Sequence, residues 1–135
     1  MKKKLLMLLL MSTTLTTTLY AYSSLSSKTF QSAYILENQG YTIRGSKDGC
    51  LDQGEYTYRS IYLYSGIDYV FLGVADSIRD MDTTIYDENW NRISIDEDKS
   101  ATSVVTVTPS WDGTFYIKVK AYRGSGCYSQ VIGWK

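Results

Sequence analysis

Thr114-Phe115-Tyr116-Ile117-Lys118-Val119-Lys120-Ala121 alternates without a break. Phe115, Ile117, Val119 and Ala121 occupy one parity; Tyr116, Lys118 and Lys120 occupy the other. A strand turns successive side chains to opposite faces, so this stretch carries one face for a core and one for water. Its C-terminal neighbours, Gly124 to Gly126, predict a turn into a last strand over 127–134. On its N-terminal side a turn over 110–113 follows Pro109, the only proline, which closes a strand over 101–108.

The same reading extends back through the chain. Residues 83–86 and 92–96 form a hairpin around a tight turn over 87–91, and an acidic loop over 76–82 precedes them. Residues 69–75 are apolar throughout, as in a central strand. Residues 55–64 alternate Arg59, Ile61 and Leu63 against Tyr58, Ser60, Tyr62 and Tyr64. Residues 46–54 are expected to be a loop holding Cys50, after a short strand over 41–44. Residues 26–39 predict the only helix of the mature part: Ser26 or Ser27 caps it and Gly40 suits its C′ position. Phe30, Ala33, Tyr34 and Glu37, widened by Ile35 and Leu36, form its stripe. Seven to eight short strands with turns every 8–12 residues indicate a mainly β protein: an antiparallel β-sandwich or jelly roll behind one short helix.

The N-terminus predicts export. Lys2, Lys3 and Lys4 precede an apolar run of seven residues, and Ala21-Tyr22-Ser23 places small residues at −3 and −1 of a cleavage site after Ser23. Cleavage after Ala21 is the less regular alternative. The run falls short of the roughly 20 residues that span a bilayer, and no later segment could cross a membrane. The expected organisation is a signal peptide over 1–23, a helical segment over 24–40 and one sandwich domain over 41–135, in a periplasmic or secreted protein.

Three of the 14 basic side chains leave with the leader, so 11 remain against 14 acidic ones, a net charge of −3. Such a chain has no excess with which to hold a phosphate backbone, and nucleic acid is not an expected partner. It contains no histidine, which excludes histidine relays and the usual histidine-containing zinc sites. Cys50 and Cys127 are its two cysteines. In an oxidising compartment an even count predicts a disulfide, here worth roughly 4 kcal/mol in the chain-entropy model.

From about residue 56 to 134 the order of features resembles the bacterial pre-peptidase C-terminal domain family. The residues that carry the likeness are Tyr69-Val-Phe-Leu-Gly-Val-Ala-Asp76, Asp82-Thr-Thr-Ile-Tyr-Asp87, Asn89-Trp-Asn91 and Asp96-Glu-Asp98. Val105-Thr-Val-Thr-Pro109, Gly113-Thr-Phe-Tyr-Ile-Lys-Val119 and Gly126-Cys-Tyr128 complete it. The resemblance implies a β-sandwich module of the kind appended to secreted hydrolases, assisting secretion, substrate adhesion or solubility. No catalytic domain accompanies it in this sequence. Some members of that family bind calcium at acidic loops.

Two constellations are candidate sites. Asp80 and Asp82, with Asp76 before them and Asp87, Glu88, Asn89 and Asn91 beyond, offer the oxygens that Ca²⁺ requires. The two groups stand about 10–13 Å apart along a strand, and Asp and Asn are also ordinary turn residues. Tyr56, Tyr58, Tyr62 and Tyr64 share one face of one strand, where aromatic rings can stack on sugar or peptide. Tyr also stabilises sheets through cross-strand pairs. No catalytic residue is assigned and no cofactor beyond calcium is indicated. The main expectation is a binding or accessory module for a protein or glycan. The alternatives are a structural or stress-protective envelope protein and, more distantly, a small carboxylate hydrolase.

Overall fold

The computed structural model describes residues 16–96 and 98–135, with side chains from residue 25 onward. The positive and apolar parts of the expected leader lie outside the described residues. Among the described residues one helix, α1 (Thr16–Asn38), precedes eight strands: β1 (Thr42–Leu51), β2 (Tyr56–Leu63), β3 (Tyr69–Ala75), β4 (Asp80–Tyr86), β5 (Arg92–Asp96), β6 (Ser103–Val107), β7 (Gly113–Arg123) and β8 (Gly126–Trp134). They form two four-stranded antiparallel sheets in the orders β1-β8-β3-β6 and β2-β7-β4-β5. Successive strands mostly alternate between sheets, and only β4 and β5 are sequence neighbours paired as a hairpin. This is jelly-roll order.

The inner faces meet in one core. Phe71, Leu63, Ile85, Phe115, Ile117 and Ala121 are wholly buried in it. The parity of β7 is the one its sequence demands, with Phe115, Ile117 and Val119 inward. Met81 fills the space beside Gly73: a Cβ at Gly73 would stand 2.6 Å from the Met81 methyl carbon, and this buried side chain would have to shift to admit one.

The β1-β8-β3-β6 sheet is buried on its second face too. There Leu36 and Ala33 of α1 pack on Val70, Leu72 and Val131, which is why every residue of β3 is buried. The predicted stripe of the helix is corrected by this packing. Phe30, Tyr34 and Ile35 are exposed, Phe30 by 74%, whereas Ser32 and Leu36 are buried. Small residues on the contact face let the helix lie close to the sheet, and Lys28 Nζ ties it down by donating to the Ala75 carbonyl at 2.8 Å. The helix also starts ten residues earlier than expected. No Gly or Pro interrupts residues 16–38, and hydroxyls take part in its turns: Thr29 donates to the Leu25 carbonyl and Ser32 to the Lys28 carbonyl, each at 2.8 Å. Gly40 ends it as expected, at φ 89°, with Tyr41 N–H donating to the Leu36 carbonyl and Gly40 N–H to that of Glu37.

The expected loop over 46–54 is largely strand. β1 runs on to Leu51 along β8, with a one-residue register slip between Ile43 and Gly45. Its polar Ser46-Lys47-Asp48-Gly49 run lacks a period of two because this strand lies at the edge of its sheet. Gly49 is required where the Tyr128 ring crosses: a Cβ there would meet ring carbons at 2.9 Å. Cys50 and Cys127 stand directly opposite each other in the ladder and form the disulfide, stapling the edge strand to its neighbour. None of the described helices is long and apolar enough to cross a membrane.

Candidate binding face

No helix among the described residues covers the outer face of the β2-β7-β4-β5 sheet, and its rows are set by register. Tyr58 stands opposite Lys118, which stands opposite Thr84 and then Ile95. Ser60, Tyr116 and Tyr86 form the next row, with Arg92 opposite Tyr86 across a one-residue slip in the β4–β5 register, and Tyr56, Lys120 and Asp82 form the row on the other side. Residues facing one another across antiparallel strands share a side of the sheet, so Tyr56, Tyr58, Tyr86 and Tyr116 line one surface.

Trp90 completes it from the β4–β5 turn. It is the only non-glycine with positive φ among the described residues, at 62°, a left-handed conformation uncommon for a side chain of this size. The turn is held by Asp87, whose backbone N–H donates to the Asn91 carbonyl at 2.9 Å and whose carbonyl accepts from Trp90 N–H at 3.0 Å. Asp87 Oδ1 accepts from the backbone N–H groups of Asn89 at 2.9 Å and Asn91 at 2.8 Å, and Oδ2 from the Asn91 amide at 3.0 Å. Burial opposes the charge on Asp87, but the Asn91 side chain and the two backbone donors outweigh it and hold the carboxyl below the usual aspartate value.

The turn lays the indole on the sheet. Trp90 stacks on Tyr116 with centroids 4.2 Å apart and planes 9° apart, while 52% of its surface stays open. Tyr58 meets it edge-on at 5.4 Å, Tyr86 lies tilted at 5.9 Å, and Tyr56 meets Tyr58 edge-on at 5.6 Å. Lys118 Nζ lies 4.5 Å from the Tyr56 ring centre and 5.7 Å from that of Tyr58. Of the four tyrosines marked in the sequence, Tyr56 and Tyr58 belong to this pavement; Tyr62 and Tyr64 pair with each other at 5.3 Å. Sequence reasoning missed Tyr86, Trp90 and Tyr116. The alternation of β4 and β7 carries a signal for the two tyrosines, whereas nothing short of the folded turn places Trp90.

The acidic candidates separate. Asp80 and Asp82 lie within β4, not in a loop, opposite Arg123 and Lys120 respectively. Asp76 Oδ1 accepts from the backbone N–H groups of Ser77 at 2.6 Å and Cys127 at 2.9 Å, closing the corner between β3 and β4. Asp87 is consumed by its own turn. Among the described residues no group of three or more acidic, Cys or His side chains is placed to hold a metal. Asp80 is 4% exposed, and its Oδ1 is buried without a hydrogen-bond partner.

A polar seam crosses the core between the sheets. Arg59 donates through Nη2 to Gln130 Oε1, Gln130 Nε2 donates to Thr83 Oγ1 at 3.4 Å, and Ser103 donates to that same oxygen at 2.7 Å. Burial lowers the Arg59 pKa, with the nearby Tyr128 charge pulling the other way. Burial likewise raises that of Tyr128, countered by Arg59 and assisted by Asp48. These groups are enclosed and serve the core.

No protein-family model and no curated protein matches the sequence. Solved structures do match the fold. The pre-peptidase C-terminal domain of a collagenase from Bacillus anthracis superposes with a TM-score of 0.55 at 15% identity, over 65% of this chain and 87% of that one. PliG of Aeromonas hydrophila, a periplasmic inhibitor of g-type lysozyme, gives 0.51 at 10% identity, over 72% of this chain and 90% of its own. At these identities the likeness is one of architecture: the chain carries a β-sandwich like that of the pre-peptidase C-terminal domain, the fold that its sequence motifs resemble.

Proposed function

We propose that this is an exported, non-catalytic binding module that engages a protein or glycan partner through the outer face of the β2-β7-β4-β5 sheet. The observation that carries the proposal is Trp90, held at positive φ by a turn clamped on Asp87 and laid flat on Tyr116 with half its surface open. Backbone strain persists where the surroundings impose it, and an exposed indole gains less from burial than it would in a core. A recognition surface accounts for both. Export is supported by the leader-like N-terminus and by the Cys50–Cys127 disulfide, a bond that persists in oxidising compartments. The non-catalytic reading rests on the lack of histidine and on a face that is a pavement rather than a cleft. PliG, which shares the fold, is an inhibitor, a role performed by binding.

The test is a binding screen of the processed protein against envelope polysaccharides and secreted proteins, with Trp90→Ser/Tyr58→Ser as the paired variant. A partner lost by the variant, with its melting temperature retained, supports the reading. A partner retained in full places the binding surface elsewhere.

A second reading adds calcium at the far end of the same sheet, because the buried Asp80 Oδ1 has no hydrogen-bond partner. A hard cation beside it would draw further ligands from Asp82, backbone carbonyls and water. Millimolar calcium would then raise the melting temperature above a sodium chloride control of matched ionic strength, and Asp80→Asn/Asp82→Asn would abolish the rise.

A further inference from the structure

Resting on the binding role assigned above to the open sheet face, we propose that its ligand is an acidic polysaccharide, with a sugar ring stacked on Trp90 and separate carboxylates along the chain met by Lys118 on β7 and Arg92 on β5. The shape of the face favours a sugar. Two grooves flank α1 on the other sheet and a third opens beside the Cys50–Cys127 disulfide, none of them lined by these rings, whereas Trp90, Tyr116, Tyr86, Tyr58 and Tyr56 make a surface without a recess for a protruding side chain. Protein hot spots cluster in pockets that exclude water. A pyranose presents a broad C–H face that fits an indole plane, and its hydroxyls suit phenol oxygens that remain wet.

The charge of the face favours an acid. The mature chain is net negative, yet the ring cluster is bounded by cations. Lys118 sits between Tyr56 and Tyr58, and Arg92 ends the row that contains Tyr116 and Tyr86. The rows of Lys118 and Arg92 themselves hold no carboxylate. Asp82 stands one row away, opposite Lys120, and Asp80 in the row of Arg123; Asp96 accepts from the Val104 N–H, Asp87 is enclosed in its turn, and Glu88 reaches to the space beside Gly113. Carboxylates spaced along the ligand would therefore meet Lys118 and Arg92 in turn, each in a row without an acid.

The experiment is affinity electrophoresis of the processed protein in gels containing polygalacturonate, its methyl ester, polyglutamate or an oligothymidylate. Polygalacturonate retards the protein. Methyl esterification keeps the ring and masks the charge, and should weaken retention several-fold; polyglutamate and oligothymidylate should leave mobility unchanged. Trp90→Ala should weaken polygalacturonate binding roughly tenfold. Lys118→Gln/Arg92→Gln should remove the preference over the ester. Phe30→Ala, on the helix, should change nothing. Because Trp90→Ala could loosen the turn, Trp90→Phe is run beside it, with both melting temperatures, and should retain most of the binding. Equal binding of the ester overturns the acidic part of the proposal, and equal binding of polyglutamate or oligothymidylate overturns the sugar part. No retention in polygalacturonate overturns the ligand class, while the binding role still stands or falls on the wider screen.

Discussion

The two sheets of this sandwich share a core but differ on their backs. Behind the β1-β8-β3-β6 sheet lie Val70, Leu72 and Val131, and a helix covers them with Leu36, which is 3% exposed. Behind the β2-β7-β4-β5 sheet lie Tyr56, Tyr58, Tyr116, Lys118 and Lys120, and no helix among the described residues covers them. Aliphatic side chains gain stability in proportion to area removed from water, so the first face recruits a lid. Tyrosine and lysine keep polar tips that must stay wet, and such a face can remain open at little cost. Outer-face composition, more than topology, decides which sheet is packed on both sides and which stays open to solvent.

The sharpest way to break that contrast is on β7, where the two faces alternate. Val119→Asp places an unpaired carboxylate in the core and should unfold the domain, whereas Lys118→Asp should leave the melting temperature within a few degrees. Circular dichroism melts of the pair decide it, and equal tolerance would mean the two faces are not distinct. This parity was legible in the sequence because neighbours two apart carry all the information a half-buried strand needs. The other strand to gain from such reading was β3, whose unbroken apolar run announced burial on both sides.

The staple of the covered sheet comes next. Cys50→Ser or Cys127→Ser should lower stability by roughly 2–5 kcal/mol, measured by denaturant titration, and peptide mapping without reductant should recover the two cysteines linked. Two freely alkylated thiols in the native protein would sink the assignment.

The lid itself should be worth less. Leu36→Ala removes its one deeply buried leucine and should cost about 2 kcal/mol, near the low end for such truncations because the cluster is small. Tyr34→Ala, on the exposed side of the same helix, should be almost neutral. Comparable losses would show that the helix packs through the stripe expected from sequence.

The smallest effect is local and depends on pH. The Asp87 carboxyl is held below its usual value in the fold, so its charge stabilises the turn above about pH 4, the ordinary aspartate range. That contribution is lost as pH falls through the lowered folded-state value. The tryptophan emission should therefore shift on acidification below about pH 4, before global unfolding, and Asp87→Ala should show the shifted emission at neutral pH. An unchanged spectrum in the variant would mean that the turn does not depend on this carboxylate.

The sequence by itself determined the strand-rich class, the inward residues of β7, the helix stop at Gly40 and a resemblance that the fold bears out. Each rests on spacing of a few residues or on motifs read in order. Only the tertiary structure decided that the 46–51 segment is an edge strand, since the ladder to β8 and the crossing of Tyr128 over Gly49 supply what its own pattern lacks. It also decided which side of the helix is buried, because Phe30 and Ile35 are as apolar as Leu36 and only the closeness of the sheet favours the small-residue face. The aromatic pavement is of the same kind. Tyr56, Tyr58, Tyr86, Trp90 and Tyr116 come from three strands and a turn spread over some sixty residues. No local signal joins them, because register between strands distant in the chain is set by the whole packed sandwich.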